Sequence, residues 1–220
     1  PKAESKTAAS KKSAAGSAQK TASAPQDAED KVTKLRGPAK AVAVNMDDSI
    51  NVPTATSYRQ LPAKAMIDNR IVINSHLKRT RGGKVSFTHL IGYAIVEALT
   101  EMPDVNVRYR IEDGKPYIDR FAHVGFGLAI DLPRDDGSRL LVTPVVHAAD
   151  TMSFQEFIQA YEELVKKARD GKLSMDDYQG ATVTLTNPGT LGTLMSSPRL
   201  VQGQGCIIGV GATNYPSKDS

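Results

Sequence analysis

Apolar and polar positions follow two different periods along this chain. Leu35, Ala39, Val42 and Met46 recur at helical spacing, with Asp27 and Asp30 ahead as candidate caps and Asn51-Val52-Pro53 as the stop. Thr54 to Leu61 alternates and predicts a strand. Pro62 suits the first turn of a helix, and Met66, Ile67, Ile71, Ile73 and Leu77 carry that helix to about Arg79, before a turn at Arg81-Gly82-Gly83-Lys84. Ser86 caps the next helix, whose Leu90, Ile91, Ala94, Ile95, Ala98 and Leu99 form a broad apolar face that ends at Pro103-Asp104.

The period then changes to two. Val105–Ile111 and Pro116–Ile118 read as a hairpin across Glu112-Asp113-Gly114-Lys115. His123–Asp131 and Leu140–Val146 read as two further strands, joined by a turn at Arg134-Asp135-Asp136-Gly137-Ser138. Ser153 caps a helix with one apolar stripe, Phe154, Phe157, Ile158, Tyr161, Leu164 and Val165, which reads as core. Its last turn carries Lys166, Lys167 and Arg169, where the helix dipole favours cations, and Gly171 follows as a stop. Gly205–Gly211 is a final apolar strand. Helices before, between and after clustered strands predict an α+β fold with a mixed sheet, without regular βαβ alternation.

The strictest alternation is in Gly180-Ala-Thr-Val-Thr-Leu-Thr-Asn-Pro-Gly-Thr-Leu-Gly192. Thr182, Thr184 and Thr186 share one face and Val183 and Leu185 the other, until Asn187-Pro188-Gly189 stops the strand. Two readings are open here. The run is an ordinary half-buried strand with solvated threonines, or it delivers the Thr186 hydroxyl to a loop where binding chemistry sits.

Charge changes the picture only when it is located. The net charge is +4, and residues 1–26 hold five Lys against one Glu, which leaves the remainder neutral with 23 basic and 23 acidic residues. A neutral remainder without Trp argues against nucleic acid as a partner. Ala, Ser, Lys and Thr supply 20 of the first 26 residues, too little apolar surface to offset ordering entropy, so residues 1–30 are expected to be a disordered linker. A single cysteine, Cys206, excludes a disulfide framework and a cysteine-based zinc site and points to a reducing cytoplasm. No run approaches the ~20 apolar residues of a membrane span.

Candidate chemistry is sparse. Gly203-Gln-Gly205-Cys-Ile-Ile-Gly209 superficially resembles a dinucleotide loop, but its glycines run into a strand instead of a helix N-terminus. His76, His89, His123 and His147 show no metal-binding spacing, so no metal is expected. His89 sits among apolar helix residues as a structural group, and His123 and His147 lie at strand ends as candidate bases. Asp47-Asp48 and Asp176-Asp177 read as solvated helix-end positions.

A resemblance goes further. Lys84-Val-Ser-Phe-Thr-His-Leu-Ile, Ala94-Ile-Val-Glu-Ala-Leu, Pro103-Asp-Val-Asn, Val124-Gly-Phe-Gly-Leu-Ala-Ile-Asp, Leu141-Val-Thr-Pro-Val-Val and Ala168-Arg-Asp-Gly-Lys-Leu resemble, in order, the 2-oxoacid dehydrogenase acyltransferase catalytic domains. Thr184-Leu-Thr-Asn-Pro-Gly189, Leu194-Met-Ser-Ser-Pro198 and the Cys206–Gly211 strand extend the series, which covers roughly residues 31–213. Together with the Ala/Ser/Lys-rich stretch in front, the details look most like the succinyltransferase-like part of actinobacterial multifunctional 2-oxoglutarate decarboxylase/dehydrogenases.

The resemblance implies a chloramphenicol-acetyltransferase-like mixed sheet with flanking helices over residues 31–220. It implies succinyl transfer between dihydrolipoyl and coenzyme A thiols, as in the TCA cycle. Thr186 matches the hydroxyl that stabilises the oxyanion, and Ser86, Thr143, Asn187 and Gly189 match substrate-binding positions. It further implies a trimer with its site between subunits, the lipoyl domain of a partner acyltransferase, and a dihydrolipoamide dehydrogenase complex. A fused decarboxylase that follows would bind thiamine diphosphate and magnesium. The family's base is a His in His-x-x-x-Asp-Gly, and no such run occurs in these 220 residues. The expectation is therefore a C-terminally incomplete domain, inactive alone. The alternatives are a non-catalytic scaffold or oligomerisation domain for the fused decarboxylase, and a stand-alone acyltransferase component.

Overall fold

The computed structural model describes residues 32–80, 82–134 and 137–213. The chain divides into two units, Pro1–Lys34 and Leu35–Ser220, and every element below belongs to the second. The expected linker, the caps Asp27 and Asp30, Arg81, the turn residues Asp135 and Asp136, and the polar run 214–220 lie outside the described residues.

Four helices form in the stretches the 3.6-residue period predicts, but the first two start later than expected, leaving Leu35 ahead of the first and Pro62 ahead of the second. They are α1 (Gly37–Ser49), α2 (Lys64–Arg79), α3 (Phe87–Glu101) and α4 (Phe154–Arg169). Ser86 and Ser153 cap α3 and α4 through capping boxes, each hydroxyl accepting from the backbone N–H three residues on while that residue's side chain reaches back. The expected stripes are buried unevenly. Leu35 and Met46 are exposed, as is Ile71 on α2 and Ala94 on α3. The groups that α3 buries most fully are His89, Gly92, Val96 and Leu99.

The strands are β1 (Val107–Glu112), β2 (Lys115–Arg120), β3 (Phe126–Leu128), β4 (Ile130–Pro133), β5 (Arg139–Val142), β6 (Val145–Val146), β7 (Val183–Thr186) and β8 (Cys206–Gly209). β1 and β2 form an antiparallel hairpin. Asp113 and Gly114 both have positive φ in its turn, the backbone a type I′ turn requires. The central sheet has the order β6-β3-β7-β8, antiparallel at β6 and parallel elsewhere, so it is mixed as expected.

Two long strands were expected at His123–Asp131 and Leu140–Val146, and both are broken at one level. Phe126–Leu128 and Val145–Val146 stay in the central sheet, while Ile130–Pro133 and Arg139–Val142 peel away as a separate hairpin. Pro144 sits at the break and has no N–H for a ladder. Its carbonyl accepts from Leu128 N at 2.8 Å, and Ala129 N turns to the Leu185 carbonyl at 2.9 Å. The strand expected at Thr54–Leu61 does not form. Prolines bracket it, all its residues are exposed, and no described strand pairs with it, so alternation alone cannot hold it extended.

The core lies between the central sheet and helices α3 and α4. Phe126 from β3 meets Phe157 from α4 edge-on, with ring centroids 5.6 Å apart, and both are fully buried. Burying a side chain of this size contributes about 1.5–3 kcal/mol. Gly92 allows the contact, because a Cβ there would stand 3.2 Å from both rings. Thr182, just before β7, and Thr184 within it are not solvated, whereas Thr186 at its end is half-exposed. Parallel neighbours flank the strand on both edges and both faces are covered, so Thr182 is 5% and Thr184 2% exposed. Their hydroxyls are accordingly bonded: Thr182 Oγ1 accepts from Gly125 N at 3.2 Å, and Thr184 Oγ1 donates to Gln204 Oε1 at 2.7 Å. Asp177 also differs from expectation. It is half-buried, accepts from Ser174 N at 2.7 Å and faces Lys167 at 3.6 Å, whereas Asp47 and Asp48 are exposed.

Candidate active site

β7 ends at Thr186 and the chain turns through Asn187 into a short 3₁₀ turn, Pro188–Leu191. The strand end is fixed on both sides by backbone bonds: Leu185 O accepts from Ala129 N, and Thr186 O accepts from Val210 N at 2.9 Å. The Thr186 side chain is half-exposed, and its hydroxyl has no hydrogen-bond partner among the described residues. It lines an open cleft of about 890 Å³ whose walls come from the start of α3, the β4–β5 hairpin, the C-terminal half of α4 and the Thr186–Leu191 turn.

The cleft brings three of the expected site residues together, Ser86, Thr186 and Asn187. Asn187 is held in place from across the chain, its Nδ2 donating to Thr88 Oγ1 at 3.0 Å. Ser86 is occupied as the α3 cap, its hydroxyl accepting from His89 N at 3.2 Å. Gly189 and Thr143 are not among the lining residues. Gly189 packs backbone on backbone, since a Cβ would fall 2.3 Å from Gly211 C, and its N–H donates to the Val210 carbonyl at 3.0 Å. Thr143 lies at the break between β5 and β6.

The histidines separate by position. β3 and β7 are parallel, so His123 at the start of β3 lies at the opposite end of the sheet from Thr186. His147 follows β6, which runs antiparallel with Val146 opposite Phe126, and it too belongs to that far end. His123 Nδ1 is 2.9 Å from Asp150 Oδ2, and Asp150 Oδ1 accepts from Val124 N at 2.7 Å. Burial pushes the Asp150 carboxyl up, but His123 and the backbone N–H groups outweigh it and hold it below its ordinary value of 3.8. This pair clamps the entry to β3. His89 alone shares the cleft with Thr186. Burial lowers its pKa, with Glu162 opposing, and its Nδ1 accepts from Ser86 N at 3.3 Å. An imidazole that accepts at Nδ1 carries its proton on Nε2, so here it is a capping acceptor stacked edge-on against Tyr161 at 4.4 Å. That is the structural role its helix position suggested.

Sequence reading missed the wall opposite Thr186. Arg139, Tyr161, Lys166 and Arg169 all line the cleft, with Asp131 bound to Arg139 at 2.7 Å. Lys166 and Arg169 were legible only as dipole-compensating cations, and the partnership of Thr88 with Asn187 spans 99 residues. Of the strand expected at Gly205–Gly211, Cys206–Gly209 forms β8 and pairs with β7, and burial raises the Cys206 thiol to about 11. No group of three or more potential metal ligands occurs among the described residues, and none of their helices is long and apolar enough to cross a membrane.

Comparison with known proteins places this geometry. The chain is 56% identical over 216 residues to the multifunctional 2-oxoglutarate metabolism enzyme of Mycobacterium sp. strain KMS. The match covers 98% of this chain and 17% of that enzyme, so the chain spans about a sixth of the relative's length. Among solved structures, the dihydrolipoamide acetyltransferase of Azotobacter vinelandii superposes with a TM-score of 0.73 at 25% identity, covering 87% of this chain and 76% of that one. That structure concerned the role of a serine, a histidine and an asparagine in the catalytic mechanism. The cubic core of a pyruvate dehydrogenase multienzyme complex superposes equally, with a TM-score of 0.73 at 28% identity, covering 87% and 76%. The family model for the 2-oxoacid dehydrogenases acyltransferase catalytic domain matches residues 27–218, and the chain belongs to that family.

Proposed function

We propose that this domain transfers a succinyl group between dihydrolipoyl and coenzyme A thiols, as the acyltransferase part of a multifunctional 2-oxoglutarate enzyme in the cytoplasm. Proton removal from the dihydrolipoyl thiol gives a thiolate, which attacks the carbonyl carbon of succinyl-CoA. The carbonyl electrons move onto oxygen, the tetrahedral intermediate collapses, and the coenzyme A thiolate leaves and takes up the proton. Thr186 donates its hydroxyl to the oxyanion. The observation that carries this role is its hydroxyl, unpartnered among the described residues, at the end of a strand bonded on both edges and lining the cleft. A donor held by the backbone needs little reorganisation when the charge develops.

The remaining roles follow the geometry. Asn187, oriented by Thr88, contacts substrate beside Thr186, and Ser86 shapes the same wall as a helix cap. Gly189 and Thr143 act through the turn and the hairpin break. The base is not assigned to His123 or His147, which lie at the far end of the sheet, and no His-x-x-x-Asp-Gly run is present in the 220 residues. It comes from outside them, on another chain of a trimeric core. Residues 1–30 act as a linker ahead of a catalytic domain beginning near residue 31, and thiamine diphosphate and magnesium serve a fused decarboxylase. A lipoyl domain and a dihydrolipoamide dehydrogenase are the partners that supply and reoxidise the dithiol.

The test is coenzyme A-dependent succinyl transfer to dihydrolipoamide by the full-length protein that contains this segment, beside the 220-residue chain alone. Transfer by the full-length protein only is expected. No transfer by the full-length protein would leave the scaffold reading in its place, and transfer by the 220 residues alone would overturn the assignment of the base to residues outside them.

A further inference from the structure

Two helices of this fold open on the same device. Ser86 caps α3 and Ser153 caps α4, and in each the third helical residue reaches back to the cap backbone. His89 Nδ1 accepts from Ser86 N at 3.3 Å, and Glu156 Oε2 accepts from Ser153 N at 2.8 Å. The two residues are not chemically equal. A carboxylate offers acceptors only, whereas a neutral imidazole that accepts at one nitrogen carries a hydrogen on the other. Glu156 is exposed, while His89 is 5% exposed and lines the cleft that holds Thr186.

The His89 Nε2–H is therefore spare, and its surroundings show where it opens. It has no hydrogen bond among the described residues. Nor is it sealed inside, since the unpartnered side-chain polar atoms of those residues that are shut off from solvent are Arg70 Nε and Asn106 Oδ1. In a ring this deeply buried, the nitrogen that stays accessible opens on the cleft. Tyr161 meets the ring edge-on at 4.4 Å, and Glu162, also in the lining, acts on it through charge alone. The neighbouring residue ties His89 to the end of β7. Thr88 Oγ1 accepts from Asn187 Nδ2 at 3.0 Å, so His89 and Thr186 each stand one residue from the same hydrogen bond. Burial lowers the imidazole pKa, which keeps the ring neutral at neutral pH.

We propose that His89 is a second hydrogen-bond donor to the substrate, directing its Nε2–H at a carbonyl oxygen of the acyl thioester in the cleft. The inference rests on the acyltransferase reading above and adds a substrate-contacting residue to it. A thioester of coenzyme A or dihydrolipoamide brings carbonyl oxygens of two kinds: the reacting one, and the amide carbonyls of the arm that carries the sulfur. Both are acceptors only, and either suits a wall on which Thr186 Oγ1 and His89 Nε2 stand as unused donors. A neutral imidazole can polarise a carbonyl without a counter-ion. The cap bond at Nδ1 fixes its tautomer and ring before substrate arrives, so little reorganisation is needed.

The test uses the full-length protein that contains this segment, with succinyl-CoA as acyl donor and dihydrolipoamide as acceptor. His89→Asn keeps an acceptor near the Nδ1 position for the Ser86 N–H and places nothing at the Nε2 position. His89→Gln extends an amide N–H to it and is a usual residue at that place in a capping box. Hydrogen exchange over residues 86–92 should match wild type in both variants. A contact with the reacting carbonyl makes His89→Asn lower kcat by about 10²–10³. A contact with an amide carbonyl makes it raise KM by about 3- to 10-fold with kcat unchanged. Either result supports the proposal, and His89→Gln should recover part of the loss. Transfer by His89→Asn within twofold of wild type in both constants would overturn it and leave the N–H to the Tyr161 ring. Equal losses in the two variants would overturn it as well, as would a loss in His89→Asn that tracks faster exchange over residues 86–92 and so reports the cap alone. A wild-type protein that transfers no acyl group would defeat the acyltransferase reading itself, whereas an active wild type with an indifferent His89→Asn defeats this inference alone.

Discussion

Thr184 and Thr186 stand two residues apart on β7, point to the same face and invite the same substitution, yet they should fail in opposite ways. Replacing Thr by Val exchanges a hydroxyl for a methyl of similar size. At position 184 the hydroxyl is 2% exposed, donates to Gln204 Oε1 at 2.7 Å and lies where a Cβ on Gly127 would be 2.7 Å away. Thr184→Val therefore strands a part-buried amide oxygen, a cost of about 1–3 kcal/mol. At position 186 the hydroxyl has no partner among the described residues, so Thr186→Val strands none of their groups and stability should stay within about 0.5 kcal/mol. Its effect belongs to the reaction: losing one oxyanion donor costs about 2.7–4 kcal/mol of barrier, or roughly 10²–10³ in kcat. Two measurements on the full-length protein separate the outcomes. Hydrogen exchange of peptides covering β3 and β7 should accelerate in Thr184→Val and match wild type in Thr186→Val, while succinyl transfer should show the reverse ranking. Transfer by Thr186→Val within twofold of wild type would refute the oxyanion role, and loss of exchange protection in that variant would show that the hydroxyl is structural.

Three further outcomes are expected. Ser86→Ala removes the α3 cap and should cost about 0.5–2 kcal/mol, read as faster exchange over residues 86–92, and a change in substrate KM without that loss would give Ser86 a direct contact instead. Gly189→Ala forces a Cβ to 2.3 Å from the Gly211 backbone, so the Thr186–Gly192 turn must move; transfer should collapse by more than about tenfold while exchange in α4 is unchanged. Because Asp150 has a folded pKa below its ordinary 3.8, its contribution is present above that value and is lost as pH falls through the folded pKa. Asp150→Asn should therefore loosen residues 124–128 at neutral pH and flatten their loss of exchange protection below about pH 3.8, and an unaltered acid profile would remove Asp150 from the linkage.

The helices and the first hairpin were legible because their signals are local. Ser86 and Ser153 announce their caps within three residues, and Asp113-Gly114 specifies a turn by conformation alone. Features set by distant partners were not. Thr54–Leu61 alternates as cleanly as a strand, but alternation does not supply a neighbour to bond with. The break at Pro144 has a local cause, while the matching break at Ala129 comes from Leu185, far along the chain. The threonines of β7 read as solvated because a two-residue period describes a strand with one wet face, and nothing local shows that β3 and β8 will enclose it. The site divides likewise. Thr186 is singled out by its place before a turn and by the ordered motifs around it, whereas Arg139, Tyr161 and Arg169 come to line the cleft only once α4 and the β4–β5 hairpin are packed.

The position of β7 between two parallel neighbours has a consequence for how the domain breathes. An inner strand with both edges bonded belongs to the part of a fold that opens last, while hairpins and helix ends open early and often. Thr186 is the final residue of that strand, and the β4–β5 hairpin that forms another wall of the cleft is a two-stranded flap outside the central sheet. One wall can therefore open and close many times for each global unfolding while the hydroxyl keeps its place. On the reaction proposed above, moving the flap would admit a bulky thioester, while the Thr186 hydroxyl stays at the end of a strand bonded along both edges.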